Sequence, residues 1–251
     1  MIRKGIPHIF TLLNLFCGCI AIYLTFLHFS HAALVAVMLG VFFDFFDGFF
    51  ARLLKVESDL GVQLDSLADM VTSGFVPGAV MYQMFIISGA RNIDYAFQIN
   101  EFSFVFTIAP LALLGFIIPL GAAFRLAKFN LISDKVTYFR GLPTPANALF
   151  ICALPLLIQH PLMINFKDYL LTPIALSGLV VLSVFFMNIH WKMISLKGVE
   201  KSSIQEIIFV FFLLLISILM FLFLGLASFV GIIVTYVTVS YTHLTLPTKR
   251  I

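Results

Sequence analysis

Between Asp44 and Asp69, four carboxylates stand in or beside segments otherwise apolar enough to span a bilayer: Asp44, Asp47, Asp65 and Asp69. The stretch reads D-F-F-D-G-F-F-A-R-L-L-K-V-E-S-D-L-G-V-Q-L-D-S-L-A-D. Asp44 and Asp47 are three residues apart and Ala51 follows four later, while Gly61, Asp65 and Asp69 are each four apart. On helices both series fall along one face. Two consecutive helices therefore each carry an acidic stripe, joined by a short polar turn. A carboxylate in a membrane costs about 2.5–3.5 kcal/mol on translocon scales, so four cost on the order of 10 kcal/mol before their mutual repulsion. A fold keeps such a cluster only where a cation offsets it, and hard divalent cations prefer carboxylate oxygens.

The surrounding sequence sets the class. With 61% hydrophobic and 11% charged residues, the chain reads as an all-α integral membrane protein, a polytopic helical bundle. Apolar runs predict helices over 8–28, 32–54, 60–88, 103–128, 146–164 and 169–190. Pro77-Gly78 predicts a kink in the third. The run 207–239 holds 33 residues, too many for one untilted span, and Gly225 near its middle suggests a hairpin. That gives six core helices plus a C-terminal hairpin, about eight transmembrane helices. Residues 1–190 are expected to form the membrane domain and 191–239 a basic loop and the hairpin. Residues 240–251 break from the rest in composition, as either a cytoplasmic tail or foreign sequence, and are assigned no function.

Charge orients the bundle. Of the fifteen Lys and Arg, only Arg91 and Lys167 fall on the side opposite the termini, leaving thirteen with them. The positive-inside rule then places both termini and the acidic cluster at the cytoplasmic face of the cell's inner membrane. No basic, aromatic-interleaved soluble patch points to a nucleic-acid partner. Cys17, Cys19 and Cys152 lack zinc-ligand spacing and read as small buried residues.

Asp44-x2-Asp47-Gly48-x2-Ala51-Arg52-x8-Gly61-x3-Asp65-x3-Asp69 resembles the signature of the CDP-alcohol phosphatidyltransferases at every fixed position. The resemblance implies transfer of a phosphatidyl group from a CDP-activated lipid to an alcohol, with release of CMP. It implies a divalent-metal site of two ions, Mg2+ or Mn2+ with Ca2+ also admissible, held by Asp44, Asp47, Asp65 and Asp69. It assigns Asp69 as the catalytic base. It places Asn14, Asp47, Gly48, Ala51, Arg52 and Gly61 against the CDP-lipid, and it carries a family expectation of a homodimer among membrane lipids. The residues agree with this chemistry. Gly48, Ala51 and Gly61 leave room beside the stripes, Arg52 supplies a cation at the membrane edge, and an alcohol needs a base to attack phosphorus.

Three further stretches resemble the phosphatidylserine synthase branch: Thr11-Leu12-Leu13-Asn14-Leu15-Phe16-Cys17-Gly18, Arg125-Leu126-Ala127-Lys128-Phe129-Asn130 and Phe139-x-Gly141-Leu142-Pro143-x-Pro145. The substrates implied are CDP-diacylglycerol and L-serine. Serine's carboxylate asks for a donor such as Arg125, Lys128 or Arg140, with Gly141 and Pro143 beside them. Bland readings stand next to these. Arg125 and Lys128 also fit as interfacial anchors, Arg140 as a solvated residue, Asn14 as a packing residue, and Gly141 and Pro143 as turn formers.

Other functions fit less well. Glycerol phosphate or inositol phosphate as acceptor would ask for a denser basic pocket. A cation- or proton-coupled transporter favours midplane acids and repeated architecture, and no repeat is visible. An aspartyl intramembrane protease needs one Asp pair. His190-Trp191-Lys192 begins a phospholipase-D-like pattern, but Lys197 stands where Asp is required, with no second copy. His28 and His31 are expected on the side opposite the acids, as loop residues.

Overall fold

The computed structural model describes residues 2–56, 58–99, 102–131, 139–193 and 204–245. Helices α1 (Ile2–Phe26) and α2 (Ser30–Leu53) pack as a pair. The chain reverses between them at His28, which takes φ 62°. After α2, Lys55 takes φ 54° and ends the helix. Ser58 then caps α3 (Asp59–Asp69) by accepting from the Gly61 N–H at 3.2 Å.

The predicted bend near Pro77 takes the form of a π-helical turn, Met70–Phe75, leading into α4 (Val76–Ile87). In unbroken α-register the Pro77 ring would crowd the carbonyl four residues back. The widened turn relieves that conflict without ending the rod. Helix α4 is apolar and mostly buried, through Val76, Ala79, Val80, Met81, Met84 and Phe85. Such a helix belongs in the middle of a bundle, and α1, α5, α6 and α8 pack around it.

The fourth predicted helix, 103–128, is corrected by the structure. Its first part is strand. β1 (Ile93–Ile99) and β2 (Phe102–Ile108) pair antiparallel, a 3-10 turn covers Ala112–Phe116, and α5 (Ile117–Leu131) begins only then. F-S-F-V-F-T-I alternates with period two, which presents an apolar face as a strand but not as a helix. The Thr107 hydroxyl donates to Asp94 across the pair at 2.6 Å.

Helices α6 (Thr144–Gln159) and α8 (Pro173–Asn188) hold 16 residues each, or about 24 Å. Pro161 and Pro173 truncate them relative to 146–164 and 169–190, and the short α7 (Lys167–Leu170) lies between. A two-residue bridge joins β3 (Phe139–Arg140) to β4 (Lys192–Met193). Finally α9 (Ile204–Leu224) and α10 (Ser228–Thr245) form the expected hairpin, turning at Gly225 with φ 54°. Met220 packs on Gly231 across it, and Ile233 of α10 packs against Leu142 and the α6 residues Ala146 and Leu149. Among the described residues, five helical segments are long and apolar enough to cross a membrane, and α6 and α8 are shorter apolar helices. The chain is an all-α polytopic membrane protein whose described residues add only the β1–β2 hairpin and the short β3–β4 bridge.

Candidate metal and substrate site

The stripes of α2 and α3 face each other. Asp44, Asp65 and Asp69 each offer a carboxylate oxygen to a shared space, and these oxygens lie within 4.8 Å of one another. Helical spacing puts Asp65 and Asp69 on one face of α3, and the α1–α2 pair presents Asp44 to them. Ionised carboxylates at that separation repel by about 3 kcal/mol per pair at an effective dielectric of about 20. Three hard oxygen donors aimed at one point therefore fit a divalent cation.

Asp47 stands apart. It is buried, and the Thr11 hydroxyl of α1 donates to its carboxylate. Of the four carboxylates assigned to metal from the sequence, the structure brings three within 4.8 Å of one another, and the fourth, Asp47, lines the same cavity as Asp44 and Asp65.

Asn14, assigned to the nucleotide, lies against Asp69. It is buried, and its side-chain N–H donates to Asp69 Oδ1 at 3.2 Å. Its backbone carbonyl accepts from Thr72 of the π-helical turn at 3.0 Å. Glycines permit this meeting of three segments. A Cβ at Gly18 would lie 2.5 Å from Thr72 Oγ1, and one at Gly40 would lie 3.0 Å from Asn14 Oδ1. Asn14 thus orients Asp69.

A cavity of about 420 Å3 opens over Asp44, Asp47 and Asp65, walled by Gly48, Ala51, Arg52 and Gly61. The residues assigned to the CDP-lipid gather here, Asn14 excepted. The Arg52 guanidinium lies over Gly48, where a Cβ would be 3.5 Å from Nη1. His8 and Ser58 also line the cavity and were not legible in the sequence. The His8 Nδ1 is buried without a hydrogen-bond partner among the described residues. A Cβ at Gly61 would come within 3.3 Å of its ring. A lone histidine near the start of an apolar helix carries no periodic signal.

Arg125 attracts Asp69 electrostatically from α5. Its Nε donates to the Met187 carbonyl at 3.1 Å. With Lys128 and His190 it lines a second, small cavity of about 50 Å3. Lys128 Nζ lies 2.9 Å from His190 Nε2. Asn130 donates to Ser66 at 2.9 Å and ties α5 to α3.

Gly141 and Pro143 act through the backbone. Gly141 has φ 70° and donates to the Trp191 carbonyl at 2.9 Å, and a Cβ there would meet the Met187 carbonyl at 2.6 Å. Pro143 is the residue preceding the first turn of α6. The side chain of Arg140, the loop 132–138, the basic stretch 194–203 and the tail 246–251 lie outside the described residues.

The family model described as CDP-alcohol phosphatidyltransferase matches residues 4–194. The chain is 34% identical over 140 residues to a CDP-diacylglycerol–serine O-phosphatidyltransferase of Bacillus subtilis, covering 56% of this chain and 69% of that one. It is 33% identical over 176 residues to the protein of that description in Methanocaldococcus jannaschii, covering 69% and 68%. An archaetidylserine synthase of Methanothermobacter thermautotrophicus is 28% identical over 149 residues, covering 59% and 56%. The chain spans between 46% and 69% of the length of the curated relatives it matches.

Proposed function

Because the chain belongs to the CDP-alcohol phosphatidyltransferase family, we propose that it transfers the phosphatidyl group of CDP-diacylglycerol to the hydroxyl of L-serine, giving phosphatidylserine and CMP. The convergence of Asp44, Asp65 and Asp69 beside a 420 Å3 cavity carries this reading. The names of the relatives support serine as acceptor. The match to residues 4–194 supports treating roughly 1–190 as the catalytic unit.

Asp44, Asp65 and Asp69 would hold Mg2+ or Mn2+, with Ca2+ admissible to the same donors, and a second ion would draw on Asp47. A divalent cation bound there supplies positive charge for the diphosphate and the leaving CMP. The remaining work falls to side chains. Arg52 offers a guanidinium to the diphosphate, while Gly48, Ala51 and Gly61 keep the wall free of bulk. Asn14 holds the Asp69 carboxylate in one orientation. Arg125 and Lys128 bind the serine carboxylate in the smaller cavity, which brings the serine hydroxyl towards Asp69. Asp69 takes the hydroxyl proton as the serine oxygen bonds to phosphorus, and the bond from phosphorus to the CMP oxygen breaks.

An acceptor panel tests the assignment. Membranes carrying the protein, CDP-diacylglycerol and Mn2+ are expected to make phosphatidylserine from serine and no product from glycerol 3-phosphate or inositol phosphate. Product from either phosphate with serine inert would overturn it.

The orientation in the inner membrane, with termini and acids cytoplasmic, rests on the charge bias. In a variant with Cys17, Cys19 and Cys152 replaced, a cysteine introduced at Asn92 is expected to react with an impermeant reagent from outside the cell. One at Asp134 is expected to react only after lysis. The reverse pattern would put the acids on the face away from the cytoplasm.

A further inference from the structure

Among the described residues nothing covers the β1–β2 hairpin on either side, and one of its two faces is aromatic. Register places Ile93 opposite Ile108, Tyr95 opposite Phe106 and Phe97 opposite Phe104, all on one face. The other face carries the pairs Asp94–Thr107, Ala96–Val105 and Gln98–Ser103. Tyr95 and Phe106 stack with ring centroids 5.7 Å apart. Phe97 and Phe104 remain 60% and 56% exposed. An isolated two-stranded hairpin is marginal in water, and an open row of aromatic side chains marks a surface that meets something apolar.

The position of the hairpin says what that is. Ile87 closes α4 18 residues after Asp69, about 27 Å along a helical rod, close to the thickness of a bilayer's hydrocarbon core. Both hairpin ends join membrane-crossing segments through short links, 88–92 and 109–111. The strands therefore begin and end at the membrane surface opposite the acidic cluster. Hydrogen bonds between the strands satisfy the inner backbone groups, and the outer edges need water or headgroups, which the interfacial zone supplies. Tyrosine favours that zone, and phenylalanine is used on the apolar face that interfacial elements bury at the acyl boundary. Residues 91–108 carry one cation, Arg91, against two acids, Asp94 and Glu101, so attraction to anionic lipid plays no part.

We propose that the hairpin lies flat in the interfacial layer of the opposite leaflet, with the Tyr95–Phe97–Phe104–Phe106 face in the upper acyl chains and the Asp94–Val105 face in water. It acts as an anchor of the α4–α5 connection on a zwitterionic lipid surface. This inference does not depend on the reaction assigned above.

The single tryptophan, Trp191, allows a direct test. In a Trp191→Phe background, Phe104→Trp and Val105→Trp place a probe on opposite faces. Full-length protein is reconstituted in phosphatidylcholine bilayers with or without bromine in the upper acyl chains. Phe104→Trp is expected to emit at shorter wavelength and to lose about half or more of its emission in brominated lipid. Val105→Trp is expected to resist brominated lipid and to be quenched by aqueous iodide. Equal iodide quenching of both probes would overturn the proposal. Blue-shifted Phe104→Trp emission that brominated lipid leaves unchanged would also overturn it, marking a second copy of the chain as the cover. Phe97→Trp with Ala96→Trp asks the same question if either first variant fails to accumulate.

Discussion

Asp69→Asn is expected to lower kcat by at least the roughly 10²-fold usual for loss of a general base, with smaller damage to CDP-diacylglycerol binding. The substitution keeps the shape of the side chain and removes its basicity. Asn14 donates to Asp69 Oδ1 at 3.2 Å, which holds the carboxylate in one orientation. Serine's hydroxyl is a poor nucleophile and must shed its proton as it bonds to phosphorus. Rates measured over a range of serine and CDP-lipid concentrations separate the effects. A fall in kcat with near-constant affinity for the lipid supports Asp69 as base. An unchanged kcat would remove it from that role.

Chelation is expected to abolish turnover, and Mg2+ or Mn2+ to restore it. Asp44, Asp65 and Asp69 bring three carboxylates within 4.8 Å of one another, an arrangement that repels a diphosphate unless a cation intervenes. Groups that merely orient a metal ligand are worth about 10–100-fold in metal affinity or activity. Asp44→Asn and Asp65→Asn remove ligands themselves and are expected to raise the metal concentration for half-maximal rate by at least about that factor. They should also weaken CDP-lipid binding, which Asp69→Asn should largely spare. Titrating metal against initial rate for each variant checks this. Full turnover in metal-free buffer would contradict it.

The carboxylate stripes were legible because charged residues at helical spacing stand out against an apolar background. Their meeting needed only a short turn between two consecutive helices. Contacts that depend on how distant helices pack were not legible. Thr11 reaches Asp47 from a helix 36 positions away, and Asn14 reaches Asp69 across 55. No local pattern encodes either pairing, so neither the Thr11 contact to Asp47 nor the Asn14 contact to Asp69 showed in the sequence. Lys128 and His190 meet only once α5 lies beside α8. The hairpin was misread for a different reason. Phe102–Ile108 is apolar enough to extend the helix that follows, and only its period-two alternation separates the two structures. At Pro77 the bend was visible in the sequence, but its form as a π-helical turn ending at Phe75, with Thr72 donating to the Asn14 carbonyl, was not.

Direct attack of serine on the CDP-lipid is most squarely tested by following CMP and phosphatidylserine together. Purified protein in mixed micelles with CDP-diacylglycerol and Mn2+ is assayed with and without serine, with labelled CMP present to report exchange. The expected result is CMP and phosphatidylserine formed in equal amounts, only when serine is present, and no label entering CDP-diacylglycerol in its absence. Serine-independent exchange of CMP into the lipid, or CMP release without phosphatidylserine, would contradict direct transfer at the Asp44–Asp65–Asp69 site.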